Sequence, residues 1–384
     1  MDVKCKLFGC VAAGFLAVFL FLPGEAQASY GSVSRVQRGS ADMASVNVRD
    51  ITIVSVNPEK TIVFCDHRVS SSNPSARVSC ELTNSTTLRL TVGVAIASTV
   101  EWQVIEFSSG VRVQRDITNL AIATASTTLT ISSIDTAKAF VFLTDAASST
   151  DQLNDEDWTV RARFPSATSL EIARNESDTM AITVAWQVVE MDLSDVRTGL
   201  VTIQKTFAST TATLAPAVNP NKTFVLFTRA ADSGTAGIEG KYMVMAELNA
   251  AGNTITFTRF ATLDTVDISW WAVQMLDGTT VRRGLAPTLL TTDTQANSGL
   301  SMTAADGTRT VFFQASMGGD TTQTANLDET SWNVNQVSAT TLQAIRASAG
   351  TQATTSWQAV EFNKRFDRLR GKSIRLRGRQ VRLF

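Results

Sequence analysis

His67 is the side chain best placed by type to do acid–base work or hold a metal, since imidazole titrates near neutrality and is a common metal ligand. It stands in Asp66-His67-Arg68 beside Cys65 and is the only histidine in the chain. Either chemistry needs partners at set spacings. No second His, His-Glu-x-x-His, Gly-x-Ser-x-Gly or phosphate-binding glycine loop is found. His67 therefore reads as a loop residue, and the chain as a non-enzyme. A glycosidase needs only two carboxylates, but nothing singles out such a pair. Oxygen-rich stretches precede two tryptophans: Asp151, Asn154, Asp155, Glu156 and Asp157 before Trp158, and Asp328 with Glu329 before Trp332. Asp155 and Asp157 are the weak candidates for Ca²⁺. The spaced ligands and Gly of a calcium loop are missing, which favours a solvated acidic loop and no cofactor. Trp158, Tyr242 and Trp332 could offer aromatic faces to sugar rings, although their alternation with Val and Ala suits a core cap better.

These residues sit in a repeat. Trp102-Gln103-Val104-Ile105-Glu106-Phe107 returns as Trp186-Gln187-Val188-Val189-Glu190-Met191 and Trp357-Gln358-Ala359-Val360-Glu361-Phe362, and more weakly as Trp270-Trp271-Ala272-Val273-Gln274-Met275. The tryptophan spacings are 84, 84 and 87 residues. A second anchor, Lys222-Thr223-Phe224-Val225-Leu226-Phe227, recurs at Lys60, Lys138 and Arg309, each time after a turn. A third, Val36-Gln37-Arg38, matches Val113-Gln114-Arg115, Ile203-Gln204-Lys205 and, loosely, Val281-Arg282-Arg283. Three anchors in one order, four times, mark duplication. The predicted fold is all-β: four tandem antiparallel six-stranded β-sandwich repeats of about 85 residues, at 29–107, 108–191, 192–276 and 277–362. In the second copy the strands are expected at 111–115, 128–134, 139–143, 158–164, 169–174 and 181–191. Trp102, Trp186, Trp270 and Trp357 are expected to be structural. Glu106, Glu190 and Glu361 are expected to meet the basic residues of the Val-Gln-Arg strand. The short links after each Trp strand suggest that it pairs with the first strand of the next copy.

Residues 1–28 have the layout of a secretory signal peptide: Lys4 and Lys6, an apolar run, then Gly24-Glu25-Ala26-Gln27-Ala28. A lipid-attachment box at Leu7-Phe8-Gly9-Cys10 would sit ahead of most of the apolar stretch, and an uncleaved anchor fits the small-residue cleavage pattern poorly. Export, with a secreted or outer-cell-surface location, follows. After removal only Cys65 and Cys80 remain. They fall in mostly apolar slots of consecutive strands, matched by Leu143, Phe227 and Gln314, and by Ala162, Ala246 and Asn335, so a disulfide within the first copy is expected over two free thiols. Net charge is −1 overall, but residues 363–384 carry nine Lys/Arg and one Asp, leaving the repeats acidic. This basic C-terminal tail could contact an anionic surface or polymer; it lacks a base-stacking pattern, so no nucleic acid is expected.

The unit opening Val36-Gln37-Arg38-Gly39, with last-strand Val100-Glu101-Trp102 and Ile268-Ser269-Trp270, resembles the H-type lectins, the agglutinin and discoidin C-terminal modules. The resemblance covers all four copies through short motifs. It implies a six-stranded sandwich and binding of galactose-type sugars at sites between subunits. Of the family's loop Asp, Arg, His and aromatic residues only Asp42 stands near an expected place, so sugar specificity does not carry over. The function expected is that of a non-catalytic, multivalent carbohydrate-binding or adhesive repeat protein with glycan or surface-polymer partners and homo-oligomerisation open. The alternative is a structural component of the cell surface or extracellular matrix.

Overall fold

The computed structural model describes residues 32–382 except 45, 71–76, 96, 148–158, 176–179, 233–241, 261, 263, 287–293, 297–300, 319–330, 351, 364–372 and 377–378. Residues 1–28, where a signal peptide is expected, lie outside them. Among the described residues no helix is long and apolar enough to cross a membrane.

Unit 1 contains β1 (Val33–Asp42), β2 (Val48–Thr52), β3 (Thr61–Val69), β4 (Val78–Asn84), β5 (Thr87–Val92) and β6 (Ser98–Phe107). They form two three-stranded antiparallel sheets in the orders β1-β6-β3 and β2-β5-β4. Alternation explains the stacking: Leu88, Leu90 and Val92 on β5 face Val100, Trp102 and Val104 on β6, and all are buried in one core. Unit 2 repeats the plan with β7 (Val111–Leu120), β8 (Ser126–Thr130), β9 (Ala139–Ala147), β10 (Arg161–Ser166), β11 (Ser169–Ala173) and β12 (Ile182–Met191). Unit 3 has β13 (Ser194–Ile203), β14 (Ser209–Thr213), β15 (Thr223–Ala231), β16 (Met245–Leu248), β17 (Thr254–Thr258) and β18 (Val266–Met275). Unit 4 has β19 (Thr280–Leu285), β20 (Gln295–Ala296), β21 (Thr310–Gly318), β22 (Trp332–Ser338), β23 (Thr341–Arg346) and β24 (Ala353–Glu361). Every unit keeps the 1-6-3 and 2-5-4 strand orders. The tail forms a hairpin of β25 (Ser373–Leu376) and β26 (Arg379–Arg382).

Each Trp strand is the centre of its own unit's sheet, so it does not pair with the first strand of the next copy: β6 bonds to β1 and β3, and β7 bonds to β12. Both long edges of the Trp strand are already occupied, which leaves no room for the exchange that the short links suggested.

Register also corrects two alignments. Gly39 faces Trp102 and Gly284 faces Trp357, and in unit 3 the residue facing Trp270 is Gly199. The counterpart of Val36-Gln37-Arg38 is therefore Val196-Arg197-Thr198, not Ile203-Gln204-Lys205. Likewise Cys80 faces Leu90 as Val334 faces Ala344, so Val334, and not Asn335, takes the Cys80 slot. The glycines have a steric cause. A Cβ on Gly39, Gly199 or Gly284 would lie 2.4, 2.7 or 2.7 Å from the indole Cζ2 of the facing tryptophan. Unit 2 has Asp116 there, and its Trp186 indole N–H donates to Thr118 Oγ1 at 3.2 Å.

The four units close into a ring. The fourth strand of each packs on the third strand of the next: β4 on β9, β10 on β15, β16 on β21, and β22 back on β3. Third strands are sheet edges, and unpaired edge amides must find partners. The glutamine after the repeat tryptophan supplies them. Val63 N–H donates to Gln187 Oε1 at 2.9 Å while Gln187 Nε2 donates to Val63 O at 2.8 Å. Gln358 does the same to Val225, at 2.8 and 2.8 Å, and Gln103 to Phe312, at 3.2 and 2.9 Å. In unit 3 Trp271 replaces the glutamine and is buried in the shared core with Phe140 and Val141. The arginine of the Val-Gln-Arg strand reaches the same neighbour: Arg115 to the carbonyls of Pro58 and Thr61, Arg283 to Pro220 and Thr223, and Arg38 to Gly307 and Thr310. Thr198 stands at this place in unit 3. Along the axis Phe64 packs edge-on against Phe142 and Phe313, with centroids 4.2 and 4.5 Å apart.

Gln187→Leu keeps the volume but strands the buried Val63 N–H and C=O, each worth about 1–3 kcal/mol. A loss of about 2–5 kcal/mol in chemical denaturation is expected. The Cys65–Cys80 disulfide joins β3 to β4 across a sequence separation of 15. Replacing both cysteines with alanine should cost about 3 kcal/mol by loop closure, read as a lower denaturation midpoint that reductant reproduces in the parent protein.

Candidate binding sites

Ring closure creates two kinds of concavity. The first recurs at the junctions, where the fourth strand of one unit faces the first and last strands of the next. One cleft, of about 270 Å³, lies between Glu81 on β4 and Arg115, Asp116 and Ile117 on β7. A second, of about 390 Å³, lies between Arg163 on β10 and Thr198, Gly199 and Leu200 on β13. The third, of about 260 Å³, lies between Glu247 on β16 and Arg283, Gly284 and Leu285 on β19. Equivalent positions supply equivalent walls. Glu81, Arg163 and Glu247 follow the matched residues Cys80, Ala162 and Ala246, and Ile117, Leu200 and Leu285 follow the residue that faces the tryptophan. Those three aliphatic side chains are exposed, at 41%, 52% and 46%. Each cleft thus offers an apolar step beside a charged group. Burial pushes the Glu81 carboxyl up, while Arg163 is tied to Glu171 at 2.7 Å and drives the Glu171 carboxyl down.

The second concavity is a central cavity of about 270 Å³ walled by the third strands of all four units. Asp66 and His67 come from β3, Asp145 from β9, Arg229 from β15 and Gln314 from β21, and Arg77 enters just before β4. Arg77 grips Asp145 with two charge-assisted bonds of 2.7 and 2.8 Å. Burial pushes the Asp66 carboxyl up to about 7, against the Gln314 amide donating to it at 3.4 Å, and with a further push from Glu101. Burial pushes the His67 imidazole down to about 4, helped by the Arg77 charge and opposed by Asp145. His67 is thus a strand residue on the cavity wall, not a loop residue.

The other residues singled out by sequence are scattered. Asp42 ends β1, is exposed and accepts the Ala44 N–H at 2.9 Å in a local turn. Tyr242 and Trp332 are both fully buried and cannot offer a face at a loop mouth; the Arg346 guanidinium lies 5.9 Å over the Trp332 ring. Trp158, Asp155 and Asp157 lie outside the described residues. Among the described residues no group of three His, Cys, Asp or Glu could hold a metal ion. Trp102, Trp186, Trp270 and Trp357 are buried on the central strands. Two of the glutamates on those strands hold the turn before the third strand: Glu106 accepts Asn57 N–H at 2.8 Å and Glu190 accepts Asp135 N–H at 2.9 Å. As expected, Glu190 and Glu361 meet basic residues of the first strand, Arg112 and Arg282. The clefts and the cavity were invisible in the strand pattern. Their best trace was the recurrence of Arg38, Arg115 and Arg283, which serve the junctions.

Comparison with models of known families and with curated proteins finds no match.

Asp66 and His67 make opposite contributions to stability. Asp66 is raised from 3.8, so its contribution is complete below that value and is lost as pH rises through about 7. His67 is lowered from 6.5, so its contribution is present above that value and is lost as pH falls through about 4. Measured against the parent protein, Asp66→Asn should gain melting temperature from pH 4 to 6.5 and His67→Gln should lose it over the same interval.

Proposed function

We propose that the protein is an exported, non-catalytic binding protein that engages carbohydrate or a related surface polymer through its inter-unit clefts. The observation that carries this reading is the threefold recurrence of an exposed aliphatic step beside a charged group: Ile117 with Glu81, Leu200 with Arg163, and Leu285 with Glu247. A pyranose presents the matching chemistry, a C–H face that leaves water against an aliphatic surface and hydroxyls that bond to carboxylate or guanidinium. Sites of this size bind weakly one at a time. Fixing several on one rigid ring raises avidity without a new contact, provided the polymer spans them. The resemblance to H-type lectins, whose sites lie between subunits, supports the same placement. Adhesion is the role that such multivalency serves, with the basic tail adding attraction to anionic surfaces.

A glycan array probed with the chain lacking residues 1–28, with and without Ca²⁺, should show density-dependent binding. The triple variant Ile117→Asp, Leu200→Asp, Leu285→Asp should abolish it while retaining the parent's circular dichroism. No binding by the parent at high glycan density would remove the proposal. The structural reading, a component of the cell surface or matrix, is favoured by one observation, the closure of the four units into a ring through backbone-edge contacts.

A further inference from the structure

We propose that the central cavity is a second binding site, for a monocarboxylate with a compact apolar body, held by Arg229. It shares Val225, Ala246, Ser356 and Gln358 with the wall of the third cleft, but none of Ile117, Leu200 and Leu285 lines it.

The inference starts from the guanidinium of Arg229. Arg229 is half-buried as a residue but its Nε is wholly buried, and a charged donor out of water is expected to meet an acceptor, because leaving it dry and unpaired is expensive. Among the described residues its one hydrogen-bond partner is the thioether of Met243, 3.3 Å from Nη2, and its Nε is buried with none. The charged groups that act on it are Arg77 and Asp145, alongside the Tyr242 phenol. Asp145 makes no hydrogen bond to Arg229: its two carboxylate oxygens accept from Arg77 at 2.7 and 2.8 Å, and its charge and that of Arg77 act on Arg229 in opposite senses. That pair brings opposite charges of equal size, so among the described residues Arg229 has no ion-pair partner of its own on the cavity wall. The nearby imidazole of His67 is a further polar group with a buried, unpartnered Nε2.

The rest of the wall fixes the class of anion. Phe142 and Phe313 stack with centroids 5.8 Å apart, and with Phe227, Leu226 and Val244 they make the apolar part of the lining. Inorganic phosphate would answer the charge and leave that lining against water. A neutral aromatic would fill the lining and leave the guanidinium unpaired. A carboxylate on an apolar body satisfies both, and bidentate arginine–carboxylate bonding supplies orientation. At about 270 Å³ the cavity sits near the lower end of ligand pockets, so the body is small.

The test is isothermal titration of the chain lacking residues 1–28 with benzoate, benzamide and inorganic phosphate near neutral pH. Benzoate should bind saturably and at least about tenfold more tightly than benzamide or phosphate, the margin of one charge-assisted pair. Arg229→Met should cost benzoate at least about tenfold and leave benzamide unchanged, whereas Arg229→Lys should recover part of the loss. Absence of benzoate binding, or equal affinity for benzoate and benzamide, overturns the proposal on the parent protein alone, even if the variants fail to fold. Benzoate binding unchanged in a folded Arg229→Met overturns it as well. The triple cleft variant should bind benzoate as the parent does, so failure of glycan binding and failure of this site are read separately.

Discussion

The architecture depends on how the open edges of the third strands are closed. In each unit the third strand bonds on one side only, to the Trp strand. An unpaired edge invites pairing with any other strand, and closed barrels, charged edges and covering loops are the usual answers. Here a glutamine side chain from the neighbouring unit binds the edge through one N–H and one C=O of a single residue, as a passing strand would, but with no further register to extend. One side-chain amide thus ends the sheet and joins two units. The arginine on the adjacent first strand makes the same kind of contact with the turn that precedes the edge. Because both partners are backbone groups, the junction tolerates variation in the neighbour's side chains, and Val63, Val225 and Phe312 are accepted alike.

That arrangement sets what the molecule can offer a ligand. The inner faces of the third strands are drawn together into aromatic contacts and a small cavity, and the outer walls of the junctions stay apart as clefts. Polar groups are placed differently in the two. In the clefts they remain near solvent and recur by position. Around the cavity the symmetry is broken, since His67, Asp145 and Arg229 occupy matching places on β3, β9 and β15. Duplication supplied the frame, and the matching position on these three strands diverged into base, acid and cation.

The sandwich itself was legible because strand alternation and the recurring tryptophan report local burial directly. Cys65 and Cys80 were legible for the same reason, each falling in an apolar slot. The ring was not, because Gln103 or Gln187 on a strand is indistinguishable by type from a solvated residue. A trace existed all the same. Unit 3 has lost both the glutamine, now Trp271, and the arginine, now Thr198, and two anchors that vanish together from one copy share a partner. That trace was hidden by matching Ile203-Gln204-Lys205 on letters when the steric pairing of Gly199 with Trp270 fixes a different register. Tyr242 and Trp332, by contrast, were legible: their alternation with Val and Ala suited a core cap better than a binding face, and both are wholly buried.

Closure between units 4 and 1, sealed by Gln103 on Phe312 and by the Val33 N–H on Asn363 O at 3.3 Å, has a consequence for cooperativity. In an open tandem array the terminal repeats have one neighbour each and fray first, and natural arrays need capping units to prevent it. A closed array has no terminal repeat. No unit can melt without giving up two interfaces, so partial unfolding from the ends has nowhere to begin.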